Sequence, residues 1–167
     1  MAKSTTRARK PKVVKVSNPD FTPHPKIEEH EEFLLLHFME WIGSHLCDCS
    51  RVFNGDLTEM LVLAVIGQMF VRHYSNEATR NYSLDGEVLT VSIAHISEAT
   101  SIPRETVRRK LLSLQKRGWV NQANNGGWSL TVNGKTSQSY QDLRPLQMRS
   151  LTRLLNLTQA ISKKIND

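Results

Sequence analysis

The stretch IAHISEATSIPRETVRRKLLSLQKRGWV, residues 93–120, decides the fold. Ile93 and Ile96 are three apart and share the inner face of a short helix, which Ser92 can cap and which ends near Ala99. Thr100-Ser101-Ile102 reads as a tight connection. Pro103 has no N–H to lose at the start of the next helix. In that helix Val107, Leu111 and Leu114 recur at i, i+4 and i+7, so one face is buried. Lys116 and Arg117 fall in its last turn, where cations suit the helix dipole, and Gly118 is placed to end it.

Downstream, the β-like runs 119–123 and 128–132 flank the tip Asn124-Asn125-Gly126-Gly127, the pattern of a hairpin. Upstream, Asn54-Gly55 signals a turn and Asp56 an N-cap, followed by a helix over 57–73. Met60 to Gly67 is apolar all round, so that helix is expected to be central. Residues 75–86 are polar and turn-rich and read as a loop, and 88–91 form a short β-like run. The order helix, strand, helix, tight turn, helix, hairpin predicts a mainly α fold with a small β-hairpin, the module covering 56–133.

The sequence around residues 93–120 resembles the winged helix-turn-helix of bacterial regulators of the GntR, MarR and Crp types. The step Thr106-Val107-Arg108, the following Leu111-x-x-Leu114 and the closing Gly118-Trp119-Val120 carry the resemblance. It implies that the helix beginning near Arg104 is a recognition helix and that the hairpin is a wing. A Crp-type protein would carry a large β-rich domain upstream, and a GntR-type protein a substantial effector domain downstream. Helices at both ends fit the MarR-type layout, which implies a homodimer.

Independently of that resemblance, a groove-reading helix must bury one side and offer the other to DNA. Around Val107, Leu111 and Leu114 the remaining face carries Arg104, Glu105, Arg108 and Arg109. Arg can hold guanine O6 and N7 with two parallel hydrogen bonds. Glu105 can accept from cytosine N4 or orient a neighbouring Arg. Ser101 and Thr106 suit phosphates near the helix start, Lys110 adds positive charge, and Lys135, just past the hairpin, suits a phosphate. The wing tip departs from the MarR pattern because it holds no Arg, which argues against minor-groove insertion. Trp128 is expected to pack beneath the wing. A basic helix of this kind can also be a solvated face, and winged helices also serve as protein-interaction modules.

The flanks complete the layout. Residues 1–25 carry Lys3, Arg7, Arg9, Lys10, Lys12 and Lys15 against the single acid Asp20, with four prolines, and read as a disordered basic arm or a solvated tail. Residues 26–50 read as an N-terminal dimerisation helix, helical over 26–47 and apolar on more than one stripe. Glu28, Glu29, Glu31 and Glu32 look like its solvated first turn. Residues 139–165 read as a C-terminal dimerisation helix, with Leu151, Leu154, Thr158, Ile161 and Ile165 along a seam. A two-fold dimer would set two recognition helices about 34 Å apart and favour a palindromic site. The alternative is that the two end helices cover each other in a monomer.

The remaining residues exclude other classes. The 167-residue chain carries a net charge of +6, which favours an anionic partner, nucleic acid before membrane. No apolar segment follows the basic start, and Met60 to Gly67 is too short to span a bilayer, so a cytoplasmic protein is expected. His30 and His37, read as sharing a helix face, together with His45, Cys47 and Cys49 raise a metal reading. The spacing of zinc ligands is missing, so surface histidines and small buried thiols are expected, with no metal or cofactor. No nucleophile, base or phosphate-loop grouping points to an enzyme. The expectation is a homodimeric, sequence-specific regulator of transcription on double-stranded DNA, for which the sequence leaves a small-molecule effector open. A replication, partition or phage factor that binds DNA away from promoters is the alternative.

Overall fold

The computed structural model describes residues 25–75, 89–133 and 136–166. The expected basic arm up to His24, the expected loop from Asn76, the expected strand residue Val88 and the phosphate candidate Lys135 lie outside them. The described chain is mainly helical, with two short antiparallel strand pairs.

The N-terminal helix is broken. Helix α1 spans Pro25–Glu29 and α2 spans Glu31–Val52, with His30 non-helical between them (φ −122°, ψ 23°). A single helix over 26–47 was expected. The acids Glu28, Glu31 and Glu32 would stack at i, i+3 and i, i+4 in a continuous helix, where like charges destabilise it. His30 therefore stands at the joint and not on a common helix face with His37. At the other end α2 runs five residues past Cys47, because Phe53 is buried just beyond its end. Asn54 and Gly55, with φ of 52° and 81°, then turn the chain.

Helix α3, Leu57–Ser75, starts where Asp56 accepts the Glu59 N–H at 2.9 Å, the expected cap. Val62, Leu63 and Ile66 are buried, but Leu61 and Val71 are exposed, so α3 is central on one side only. Leu89 and Thr90 are irregular, and of the expected β-like run only Val91 pairs, as a single bridge to Trp128. Helix α4, Ile93–Thr100, is capped by Ser92, whose Oγ accepts from the His95 N–H at 3.1 Å.

Helix α5, Arg104–Lys116, follows and ends in a two-bond cap. The Gly118 N–H donates to Gln115 O and the Trp119 N–H to Leu114 O, with Gly118 at φ 73°, so the expected terminating glycine is in place. Strands β1 (Val120–Gln122) and β2 (Trp128–Leu130) pair antiparallel, Val120 opposite Leu130. A second pair, β3 (Val132–Asn133) with β4 (Thr136–Ser137), was not foreseen.

Helix α6 spans Gln138–Asn166 and contains Pro145 in its third turn. Ser137 opens it, accepting the Tyr140 N–H at 3.2 Å. Helices α1 and α2 run antiparallel to α6: Lys26 Nζ of α1 reaches Ile165 O, while His45 and Asp48 near the end of α2 meet Ser150 and Arg153. The core lies where α3, α4, α5 and β2 converge, built on Val62, Ile66, Ile96, Val107, Leu111, Leu114 and Trp128. No described helix is long and apolar enough to cross a membrane.

Candidate nucleic-acid interface

The connection between α4 and α5 is set by side chains. Ser101 adopts a left-handed φ of 56°, which costs a non-glycine residue about 1–2 kcal/mol. Local bonds offset that cost. Thr100 Oγ1 donates to Ile96 O at 2.6 Å, and Ser97 Oγ donates to Ile102 O at 2.7 Å. The chain then enters α5 through Pro103, with no side chain capping the first turn. The first-turn N–H groups of α5 therefore have no side-chain cap, beside exposed Ser101 and half-buried Thr106.

The inner face of α5 is fully buried: Val107, Leu111 and Leu114 are each 0 % exposed. Arg104, Glu105, Arg108 and Arg109 are all exposed, so the structure brings these four sequence candidates onto one open face. Arg108 is held by Glu105 one turn earlier. Its Nε lies 3.0 and 3.2 Å from the two carboxylate oxygens, and its Nη2 lies 2.8 Å from Oε1. This bonding holds the Glu105 carboxyl below its ordinary pKa and raises that of Arg108.

Two bases of this helix face inward instead. Lys110, a DNA-contact candidate, is half-buried and its ammonium is taken by Asp56 at the start of α3. Burial would raise the pKa of Asp56, but Lys110, the Glu59 N–H and the Arg117 charge outweigh it and hold it low. Arg117 forms an ion pair with Glu59, Nε 3.0 Å from Oε1, and lies over the rings of Phe53 and Trp119. Ser113 Oγ also donates to Glu59, at 3.2 Å. Asp56 and Glu59 thus clamp α5 onto α3. Four cations (Arg104, Arg108, Arg109 and Lys116) and the Glu105 carboxylate remain exposed. Sequence reading missed the clamp, because its two halves stand more than fifty residues apart in the chain.

The β1–β2 hairpin follows α5, and β1 packs against it. Its tip closes with Ala123 N–H donating to Gly127 O at 2.8 Å and leans on Thr90, whose Oγ1 accepts from Asn125 Nδ2. A Cβ on Gly127 would lie 2.6 Å from Thr90 Cβ, so that contact requires glycine. The hairpin exposes amides (Asn121, Gln122, Asn124 and Asn125), while Trp128 is 2 % exposed and packs beneath it as expected.

The thiols and histidines divide. Cys49 is buried, as expected of both thiols, but Cys47 is exposed. Cys49 lies 3.5 Å from His45 Nε2, and His45 Nδ1 lies 2.8 Å from Ser150 Oγ. Among the described residues, no three His, Cys, Asp or Glu side chains are grouped to hold a metal.

Comparison with protein-family models, curated proteins and solved structures finds no match for this chain.

Away from α5, the α2–α6 pair leaves much apolar surface open. Leu35, Leu36, Phe38 and Met39 of α2 and Leu151 and Leu155 of α6 are each about half exposed. Beside them a groove of about 870 Å³ lies between α2, α3 and α6, lined chiefly by apolar side chains such as Leu63, Leu143 and Leu146. Beneath this surface Asp48, 6 % exposed, ties the pair together. It accepts from Arg153 at 2.6 Å and also faces Arg149 and Arg51.

Proposed function

We propose that this protein is a sequence-specific, double-stranded-DNA-binding regulator of transcription, built on a winged helix-turn-helix and working as a homodimer in the cytoplasm. One observation carries the reading: α5 is anchored by three fully buried aliphatic residues and turns Arg104, Glu105, Arg108 and Arg109 to solvent on one face. Such a helix fits the major groove, where Arg pairs with guanine. In this reading Ser101, Thr106 and the uncapped start of α5 meet phosphate. The amide-rich hairpin is the wing, resting along the backbone. Lys110 serves the clamp and acts on DNA only through the position of α5.

The second copy accounts for the open apolar surface of α2 and α6. Two helices that each expose a row of Leu, Phe and Met side chains need a cover larger than either gives the other. A four-helix arrangement across a two-fold axis supplies it, and sets the two α5 helices for a palindromic site.

The test is selection of duplexes from a random-sequence pool, followed by binding of Arg108→Ala to the selected and a scrambled duplex. The reading expects an enriched, inverted-repeat site and a loss of about ten- to a hundredfold confined to it. A protein that enriches no sequence, or binds no duplex even at low salt, is not such a regulator.

A further inference from the structure

Resting on the reading of α5 as the DNA-facing helix, we propose that Glu105 is a positioning residue: it fixes the Arg108 guanidinium so that the remaining edge of Arg108 selects one guanine. Arginine offers five N–H donors in a rigid fork. Glu105 occupies the edge formed by Nε and Nη2. The edge formed by Nη1 and the second Nη2 hydrogen stays free, and two parallel donors on one edge are what guanine O6 and N7 accept.

The arrangement bears on whether Glu105 reads a base itself. Both of its oxygens already accept from Arg108. Taking a cytosine amino hydrogen instead would give up a charge-assisted bidentate contact for a single neutral donor. Stability does not explain the pair either. Both side chains are more than half exposed, and exposed ion pairs add little to folding. What the pair does supply is a guanidinium that loses less freedom when it docks. Arg104 and Arg109 hold no ion pair with any other described residue, so Arg108 is the pre-set member of the exposed trio.

A carboxylate on a DNA-facing surface also repels phosphate. Glu105 therefore lowers affinity for all duplexes while sharpening the choice among them. This gives its removal a signature of two opposite signs, which loss of a merely structural residue does not produce.

The experiment uses the full chain and duplexes selected from a random pool by the parent protein. Each position of the selected site is changed to the other three pairs, and binding is measured for the parent, Glu105→Gln, Arg108→Lys and the double variant. Glu105→Gln is expected to lose about fivefold or more of the preference at one guanine, the same position that Arg108→Lys flattens. The double variant should lose no more there than either single one. On a scrambled duplex Glu105→Gln should bind more tightly than the parent, with a steeper salt dependence. If Glu105→Gln flattens a different position from Arg108→Lys, Glu105 reads a base directly and the inference is overturned. If it flattens none, the pair plays no part in selection and the inference is overturned again. A parent that shows no preference at any position instead overturns the DNA-reader reading on which this one rests.

Discussion

Replacing Glu59 by alanine removes the acceptor that holds the C-terminal end of α5. Glu59 is 3 % exposed; its Oε1 forms an ion pair with Arg117, 3.0 Å from Nε, and its Oε2 accepts from Ser113 Oγ at 3.2 Å. Breaking a buried ion pair from one side costs about 3–5 kcal/mol, because the other charge is stranded. Arg117 is not wholly stranded: its side chain is 28 % exposed, it reaches Val52 O, and it keeps its place over Phe53 and Trp119. The expected loss is therefore nearer 2–3 kcal/mol, by the same rule discounted for partial hydration (about half to two-thirds of the full cost). Glu59→Gln keeps the shape and an acceptor for Ser113, and should lose about 1–2 kcal/mol. Urea unfolding reads both as a lower midpoint at unchanged m, with Tm falling by roughly 5–10 °C for alanine. A double-mutant cycle with Arg117→Ala should give a coupling of about 1 kcal/mol or more. Additive losses, or a Glu59→Ala loss under about 0.5 kcal/mol, would refute the clamp.

Three further outcomes follow from other elements. Leu111→Ala opens a cavity at a 0 % exposed position on α5 and should cost about 2–5 kcal/mol in the same unfolding measurement; a loss under about 1 kcal/mol would mean the site is not packed as described. Gly118→Ala puts a Cβ in open space at φ 73°, so only backbone strain of about 1–2 kcal/mol is expected; a neutral result would refute the left-handed end of α5. Asp48 is held below its ordinary pKa of 3.8 by its bond to Arg153 and by the charges of Arg149 and Arg51, against the opposing effect of burial. A depressed carboxyl stabilises the fold fully above the unfolded value and loses that contribution as pH falls through the folded one. The urea midpoint should therefore drop below about pH 4, less steeply in Asp48→Asn, and an identical acid slope in the two proteins would remove Asp48 from the account.

The sequence was most legible where short-range rules act alone. The i, i+4, i+7 spacing of Val107, Leu111 and Leu114, the cap at Ser92 and the stop at Gly118 depend on neighbours within one or two turns, and all stand in the structure. The open face of Arg104, Glu105, Arg108 and Arg109 followed from the same periodicity. What escaped depends on partners far away in the chain. Lys110 looked like another surface base because nothing local marks Asp56, 54 residues earlier, as its partner. Asp48 lay among helix residues with no hint that Arg149 and Arg153 would return to it from α6. The break at His30 falls in a run of five polar residues, Glu28, Glu29, His30, Glu31 and Glu32, where no apolar stripe holds a helix straight and repulsion among the glutamates opposes one.

The central claim is that the open face of α5 reads DNA. Its most direct test is the affinity of the parent and of Arg104→Ala/Arg109→Ala for the selected duplex between about 50 and 200 mM salt. Both substituted residues are exposed and hold no described ion pair, so the variant should fold as the parent does. The account predicts that the parent binds the selected duplex far more tightly than a scrambled one, and that the variant loses most of that margin and shows a shallower salt slope. Equal affinity and equal margin in the two proteins would contradict it.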